Sequence, residues 1–359
     1  MTAFLALCTA LAFLAMGHFM LVRKAGDAWD GAALILSDTA TKPIAYRMLV
    51  PSTVRTIVRL TPPSWQQAVA QKVRQASAEN ACIRYVVQPA TRDLADDRLL
   101  YGYCVMHLVI FLSLLGSVIM IYVLAAQVLC DRFSRCLAPV LLLLAMPALN
   151  HTQTLNYDYA VVLLMTAGLY CLAHQRWLPF VVVFALATFN RETSIYLTFV
   201  FALHFARRLS LRPFALLLIG QMLLYLVIQL AIRSHYQHAP GTGLNWTFHL
   251  HLRQWLAGYR GTFYIALLSL LYLLSARWTE KPVFLRHALW ICLPTLVGYV
   301  MVGIPREYRQ LYECLPVCIL ALTHTLVASS GLARWPVASP EPALPPGKRA
   351  TGRSLSGRK

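Results

Sequence analysis

Long apolar runs separated by short polar breaks dominate this chain. A helix needs about 20 apolar residues to cross a bilayer fully. On that measure the runs predict about ten spans, at 3–22, 101–129, 137–150, 157–173, 177–190, 193–206, 213–232, 263–276, 287–304 and 311–329. Several are short for a full crossing. The expected fold class is all-α: a polytopic transmembrane helix bundle. Residues 1–330 read as a single transmembrane domain. Residues 331–359 combine Pro, Ser, Gly and basic groups and read as a disordered basic cytoplasmic tail.

Two polar stretches are too long to be simple turns. Residues 23–100 form the first. Within it, Val54, Ile57, Val58 and Leu60 are spaced to share a helix face, with Arg55 and Arg59 opposite. That predicts a short amphipathic helix at the membrane interface. Pro63 or Ser64 is expected to open a second helix running to about Ala81. Residues 233–262 form the second stretch, with Pro240, Gly241, Trp246, His249, His251 and Tyr259.

Composition agrees with the pattern. The hydrophobic fraction is 58%, charged residues make up 13% and mean hydropathy is +0.57, far from soluble averages. The formal charge of +18 points to topology and not to nucleic acid, because no basic stripe carries interleaved stacking aromatics. Arg132 and Arg135, Arg176, Arg207, Arg208 and Arg212, and Arg277, Lys281 and Arg286 all fall on one side with the tail if every run crosses. The positive-inside bias makes that side cytoplasmic, with both termini inside. A bacterial inner membrane is the expected location, with 23–100 and 233–262 as extracytoplasmic loops. The first run has no basic residue before it and no cleavage pattern after it, so it reads as a retained span. The nine cysteines show no metal-ligand spacing and read mainly as small apolar residues.

The candidate chemistry lies where the spans meet the predicted outer face. Asn190-Arg191-Glu192-Thr193 separates two apolar runs, and a charge at a helix centre costs roughly 2.5–3.5 kcal/mol on insertion scales. The other clusters are Asp27 with Asp30, Arg47 within Tyr46–Pro51, Asn150 through Tyr157 and Asp158, and Arg306, Glu307 and Arg309. Each also has a local explanation. Asp158 would cap a helix, Arg47 would snorkel beside Tyr46, Arg191 and Glu192 would neutralise each other, and Arg309 would pair with Glu313. Their shared face is the stronger signal. It suggests a recess in which arginines meet a phosphate while carboxylates meet a polar head group.

The acidic residues just after the first span, followed by an amphipathic helix, resemble the GT-C class of integral-membrane glycosyltransferases. Arg47 in its Tyr46–Pro51 setting, Tyr157-Asp158, Asn190–Thr193 and Arg306–Arg309 are similar to a group of poorly characterised bacterial membrane proteins. The resemblance spans most of residues 1–330. It implies transfer of a sugar from a polyprenyl-phosphate donor on the extracytoplasmic face during envelope glycan assembly. Asp30 or Asp27 would then be the catalytic base, although the two stand three apart and not in an acidic-x-acidic pattern. Tyr157, Asp158, Asn190, Arg191, Glu192, Arg306, Glu307 and Arg309, with Arg47, would bind substrate and its phosphate. A divalent cation is compatible with the carboxylates, and the metal is not specified.

Two other classes stay open. A secondary transporter would use the short hairpins as broken helices. A noncatalytic membrane component of polysaccharide assembly would use the charges structurally. There is no Walker A loop, dinucleotide glycine fingerprint, His-Glu-x-x-His or Gly-x-Ser-x-Gly. His249 and His251 would share a face only if extended.

Overall fold

The computed structural model describes residues 2–23, 42, 44–80, 96–129, 131–149, 158–241, 246–257, 261–304 and 307–331. All regular structure among them is helical. The main elements are α1 (Thr2–Arg23), α2 (Leu49–Leu60), α3 (Pro63–Glu79), α4 (Asp97–Val128), α5 (Arg132–Leu149), α6 (Asp158–Ala173) and α7 (Trp177–Asn190). They continue with α8 (Ile195–Phe205), α9 (Leu211–His235), α10 (Phe248–Ala257), α11 (Gly261–Ser275), α12 (Val283–Val302) and α13 (Leu315–Ser330). Among the described residues α4, α5, α9 and α12 are long and apolar enough to cross a membrane. The helices α6, α7 and α13 are apolar but shorter.

Each apolar run becomes a helix, with displaced ends. The run expected from 137 starts at Arg132 because Asp131 caps it, accepting from the Phe133 and Ser134 amides at 3.0 and 2.6 Å. Asp96 likewise accepts from the Arg98 amide at 2.8 Å and starts α4 ahead of its apolar run. Within α12 a 3-10 turn at Leu289–Ile291 interrupts the α-helical pattern.

The amphipathic helix α2 buries Val50, Val54 and Val58, one per turn. Leu60, expected on that face, is exposed. The helix starts earlier than its apolar pattern, so the buried stripe runs through residue 50 and ends before residue 60. Pro63 opens α3 at its first position. Gln66 closes the corner by donating to the Val58 and Thr61 carbonyls at 2.9 and 2.8 Å. The second polar stretch, expected as a loop, contains α10.

The core joins α1, α2, α4 to α8, α12 and α13. Small residues allow the closest approaches. A Cβ on Gly116 would lie 3.0 Å from Leu163, and one on Gly168 would lie 2.5 Å from Leu197. Conversely, α9 and α11 turn Leu216, Ile219, Val227, Ile265 and Leu268 outward. Such apolar outer faces fit a lipid bilayer, where water does not penalise them.

Candidate functional site

The site is built where α7 stops. Arg191 is extended (φ −162°, ψ 141°), while its amide still closes the helix on the Ala187 carbonyl at 2.8 Å. One 3-10 turn, Glu192–Ser194, then leads into α8. The Thr188 and Ser194 hydroxyls lie 2.9 Å apart and tie the two sides of the break. The reversal sends Arg191 inward and leaves Glu192 half exposed. Asn190 is buried beneath them.

Three elements converge on this break. The segment before α2 is hooked to α7 by the Met48 amide, which donates to the Phe189 carbonyl at 3.0 Å. That places Arg47 at 3.5 Å from Glu192. The turn before α13 brings Glu313 to 2.8 Å from Arg191, and the Thr193 hydroxyl donates to the same carboxylate at 2.5 Å. This turn is anchored by Tyr312, whose buried hydroxyl donates to the Met146 carbonyl at 3.0 Å. From the 3-10 turn Tyr308–Leu311, Arg309 reaches Glu307 at 2.8 Å and Asp158, at the start of α6, at 3.7 Å. The Gln310 side-chain amide also donates to Glu307, at 3.2 Å.

Thus three guanidiniums face four carboxylates at one end of the bundle. Arg191, Arg309, Asp158, Glu307 and Glu313 are all buried. Isolated, each charge would cost several kcal/mol to desolvate, so partnership is what makes the arrangement tolerable. Burial lowers Arg47 to about 10, and Arg191 and Arg309 push the same way against the pull of Glu192 and Asp158. Burial raises the Glu192 carboxyl, but Arg47 and Arg191 more than offset it and hold it below the usual range. Arg47 therefore senses Arg191, Arg309, Glu192 and Asp158 together.

Several expected site residues meet here: Arg47, Asp158, Asn190, Arg191, Glu192, Glu307 and Arg309. Asp27, Asp30, Tyr157 and Arg306 lie outside the described residues. Arg309 was expected to offer an open fork to phosphate or to pair with Glu313. It is instead committed to Glu307 and Asp158, and Glu313 pairs with Arg191. The short 3-10 turn, in place of a continuous helix, is what redirects both side chains. Glu313 joins the site as the partner of Arg191 and Thr193, a role that the sequence assigns to neither Glu313 nor Thr193. The available signal was a carboxylate inside the apolar run 311–329, since an ionisable residue in a span is a site candidate by default.

Within this cluster the most accessible pair is Arg47–Glu192, where the Glu192 side chain is 39% exposed. An apolar groove of about 400 Å³ runs along α2, lined by Met48, Leu49, Ser52, Thr53, Ile57 and Phe189; Met48, the chain neighbour of Arg47, is its link to the pair. A second cavity of about 280 Å³ is lined by Arg55, Arg59, Asp96 and Arg98 among others, and like the groove it has none of the clustered charged residues in its lining.

His249 and His251 of the second polar stretch are not paired as ligands. They lie on α10, where residues two apart diverge. His251 is buried with Nε2 at 2.9 Å from the Gly303 carbonyl, which also accepts from the Thr247 hydroxyl at 2.5 Å. Comparison with protein-family models, with curated proteins and with solved structures finds no match.

Proposed function

We propose that this chain is a membrane glycosyltransferase-like protein that takes a sugar from a polyprenyl-phosphate donor on the extracytoplasmic face during envelope glycan assembly. The observation that carries the reading is the Arg47–Glu192 pair, with Met48, next to Arg47 in the chain, lining the apolar groove along α2. A prenyl chain suits the groove, and its phosphate suits Arg47, whose carboxylate partner is half exposed and at 3.5 Å. A phosphate that gains charge as the glycosidic bond breaks is stabilised by a guanidinium already in place. The deeper pairs, Arg191–Glu313 and Arg309 with Asp158 and Glu307, hold the floor of the site. Asp30 or Asp27 is the base that deprotonates the acceptor hydroxyl. The reading includes about ten spans, a bacterial inner membrane and cytoplasmic termini.

Purified protein in proteoliposomes, supplied with radiolabelled sugar on polyprenyl phosphate and an envelope-glycan acceptor, tests this. Transfer that falls in Asp30→Asn or Asp27→Asn and weakens in Arg47→Ala supports it. Folded wild-type protein that transfers no sugar from any polyprenyl-phosphate donor overturns it. Substrate counterflow abolished by Asp158→Asn and Glu192→Gln would instead identify a transporter.

A further inference from the structure

The nine cysteines have no metal-ligand spacing in sequence, but the fold gathers three of them. Cys292 lies on α12, where the α-helix resumes after its 3-10 turn. Cys314 immediately precedes α13, and Cys318 lies one turn on, its amide donating to the Cys314 carbonyl at 3.0 Å. The four-residue step puts both sulfurs on one helix face, opposite Cys292. The Cys292 and Cys318 Sγ atoms are 3.5 Å apart, and all three sulfurs lie within 4.8 Å of one another. All three are free thiols, and the Cys314 thiol donates to the Leu311 carbonyl at 3.0 Å.

We propose that Cys292, Cys314 and Cys318 form a binding site for a soft d10 metal ion, of which Cu(I) is the natural occupant. Three sulfurs held at ~2.3 Å from one ion in a trigonal plane stand about 4 Å apart, so small side-chain adjustments close the site. The donor set is all sulfur, which selects Cu(I) over hard cations. Zn(II) prefers four ligands, whereas this group offers three. The ion keeps its oxidation state, and each ligating thiol releases its proton to solvent. Cys314 lies in the apolar core, and Cys292 and Cys318 are half-buried against it. Occupancy would staple α12 to the start of α13, next to Glu313. The site does not depend on the glycosyltransferase reading.

The test uses the full chain in lipid nanodiscs, prepared anaerobically and titrated with Cu(I) against the chromogenic chelator bicinchoninate. The expected result is about one ion per chain with sulfur-only coordination by X-ray absorption. Cys314→Ser should weaken retention by at least about tenfold. A variant with Ser at Cys8, Cys82, Cys104, Cys130, Cys136 and Cys171 should retain it. Should Cys314→Ser not fold, maleimide labelling of wild-type protein gives the answer, because Cu(I) should protect these three thiols. No retained Cu(I), equal retention by Cys292→Ser/Cys318→Ser, or unprotected thiols at saturation would overturn the site.

Discussion

Arg191 and Glu313 meet at 2.8 Å with both side chains buried, although one follows α7 and the other precedes α13. Their pairing joins two helix ends that chain connectivity leaves independent. It also explains how a charged break sits among apolar runs. Removing one partner strands the other charge, which costs about 3–5 kcal/mol. Arg191→Met and Glu313→Leu should each destabilise the protein by that order. The double variant should recover much of the loss, because no buried charge remains. Unfolding in mixed detergent gives the cycle; additive losses would mean the two residues are not coupled.

Arg309 is shared between Glu307 and Asp158. A planar fork serves two carboxylates in different directions, while an ammonium is a point charge. Arg309→Lys should therefore fall between wild type and Arg309→Ala in thermal stability. Asp158→Asn should be milder, since the 2.8 Å contact to Glu307 survives. Thermal melts of the three variants check the order, and a Lys variant as stable as wild type would contradict the fork geometry.

Glu192 supplies a pH signature. Its folded-state acidity is stronger than its ordinary value of 4.5, so the folded protein holds its proton less tightly than the unfolded chain. Its contribution is present above pH 4.5 and is lost as pH falls through the depressed folded value. Glu192→Gln should flatten stability against pH in that acid range and leave the slope near neutrality unchanged. Melting temperatures across an acid pH series, wild type beside variant, measure this.

Gly303 tests the anchoring of α10. A Cβ there would press on the Tyr299 carbonyl oxygen and the Gln310 side chain. The Gly303 carbonyl is also the shared acceptor for Thr247 and His251. Gly303→Ala should destabilise by about 1–3 kcal/mol, as overpacking does, and should loosen α10 before the rest of the bundle. Hydrogen exchange over residues 246–257 reports it; unchanged protection would show that α10 is held elsewhere.

The helices were legible because hydrophobic periodicity is a local property. A backbone in lipid has to satisfy its own hydrogen bonds, so an apolar run becomes a helix with little choice. The caps at Asp96 and Asp131 were less visible, since charged residues beside a run look like loop until their carboxylates are seen on backbone amides. A shared face for Arg47, Asp158, Arg191, Glu192, Glu307 and Arg309 is the expectation if every apolar run crosses, and the structure brings these residues together. Who pairs with whom did not follow. Glu313 looked like a partner for Arg309 one turn away, but the 3-10 turn at Tyr308–Leu311 turns it to Arg191.

The sequence alone therefore determined that the chain is an apolar helical protein with ionic breaks between its runs, including the polar tip Asn190–Thr193. Burial of apolar surface and backbone hydrogen bonding act over a few residues and are written in order along the chain. Only the tertiary structure decided that Arg191 faces inward to Glu313 while the half-exposed Glu192 pairs with Arg47, and that the sulfurs of three separated cysteines lie within 4.8 Å of one another. Those outcomes depend on helix crossings and on a single extended residue at 191. Their energies come from distances between elements, and no local pattern encodes a distance.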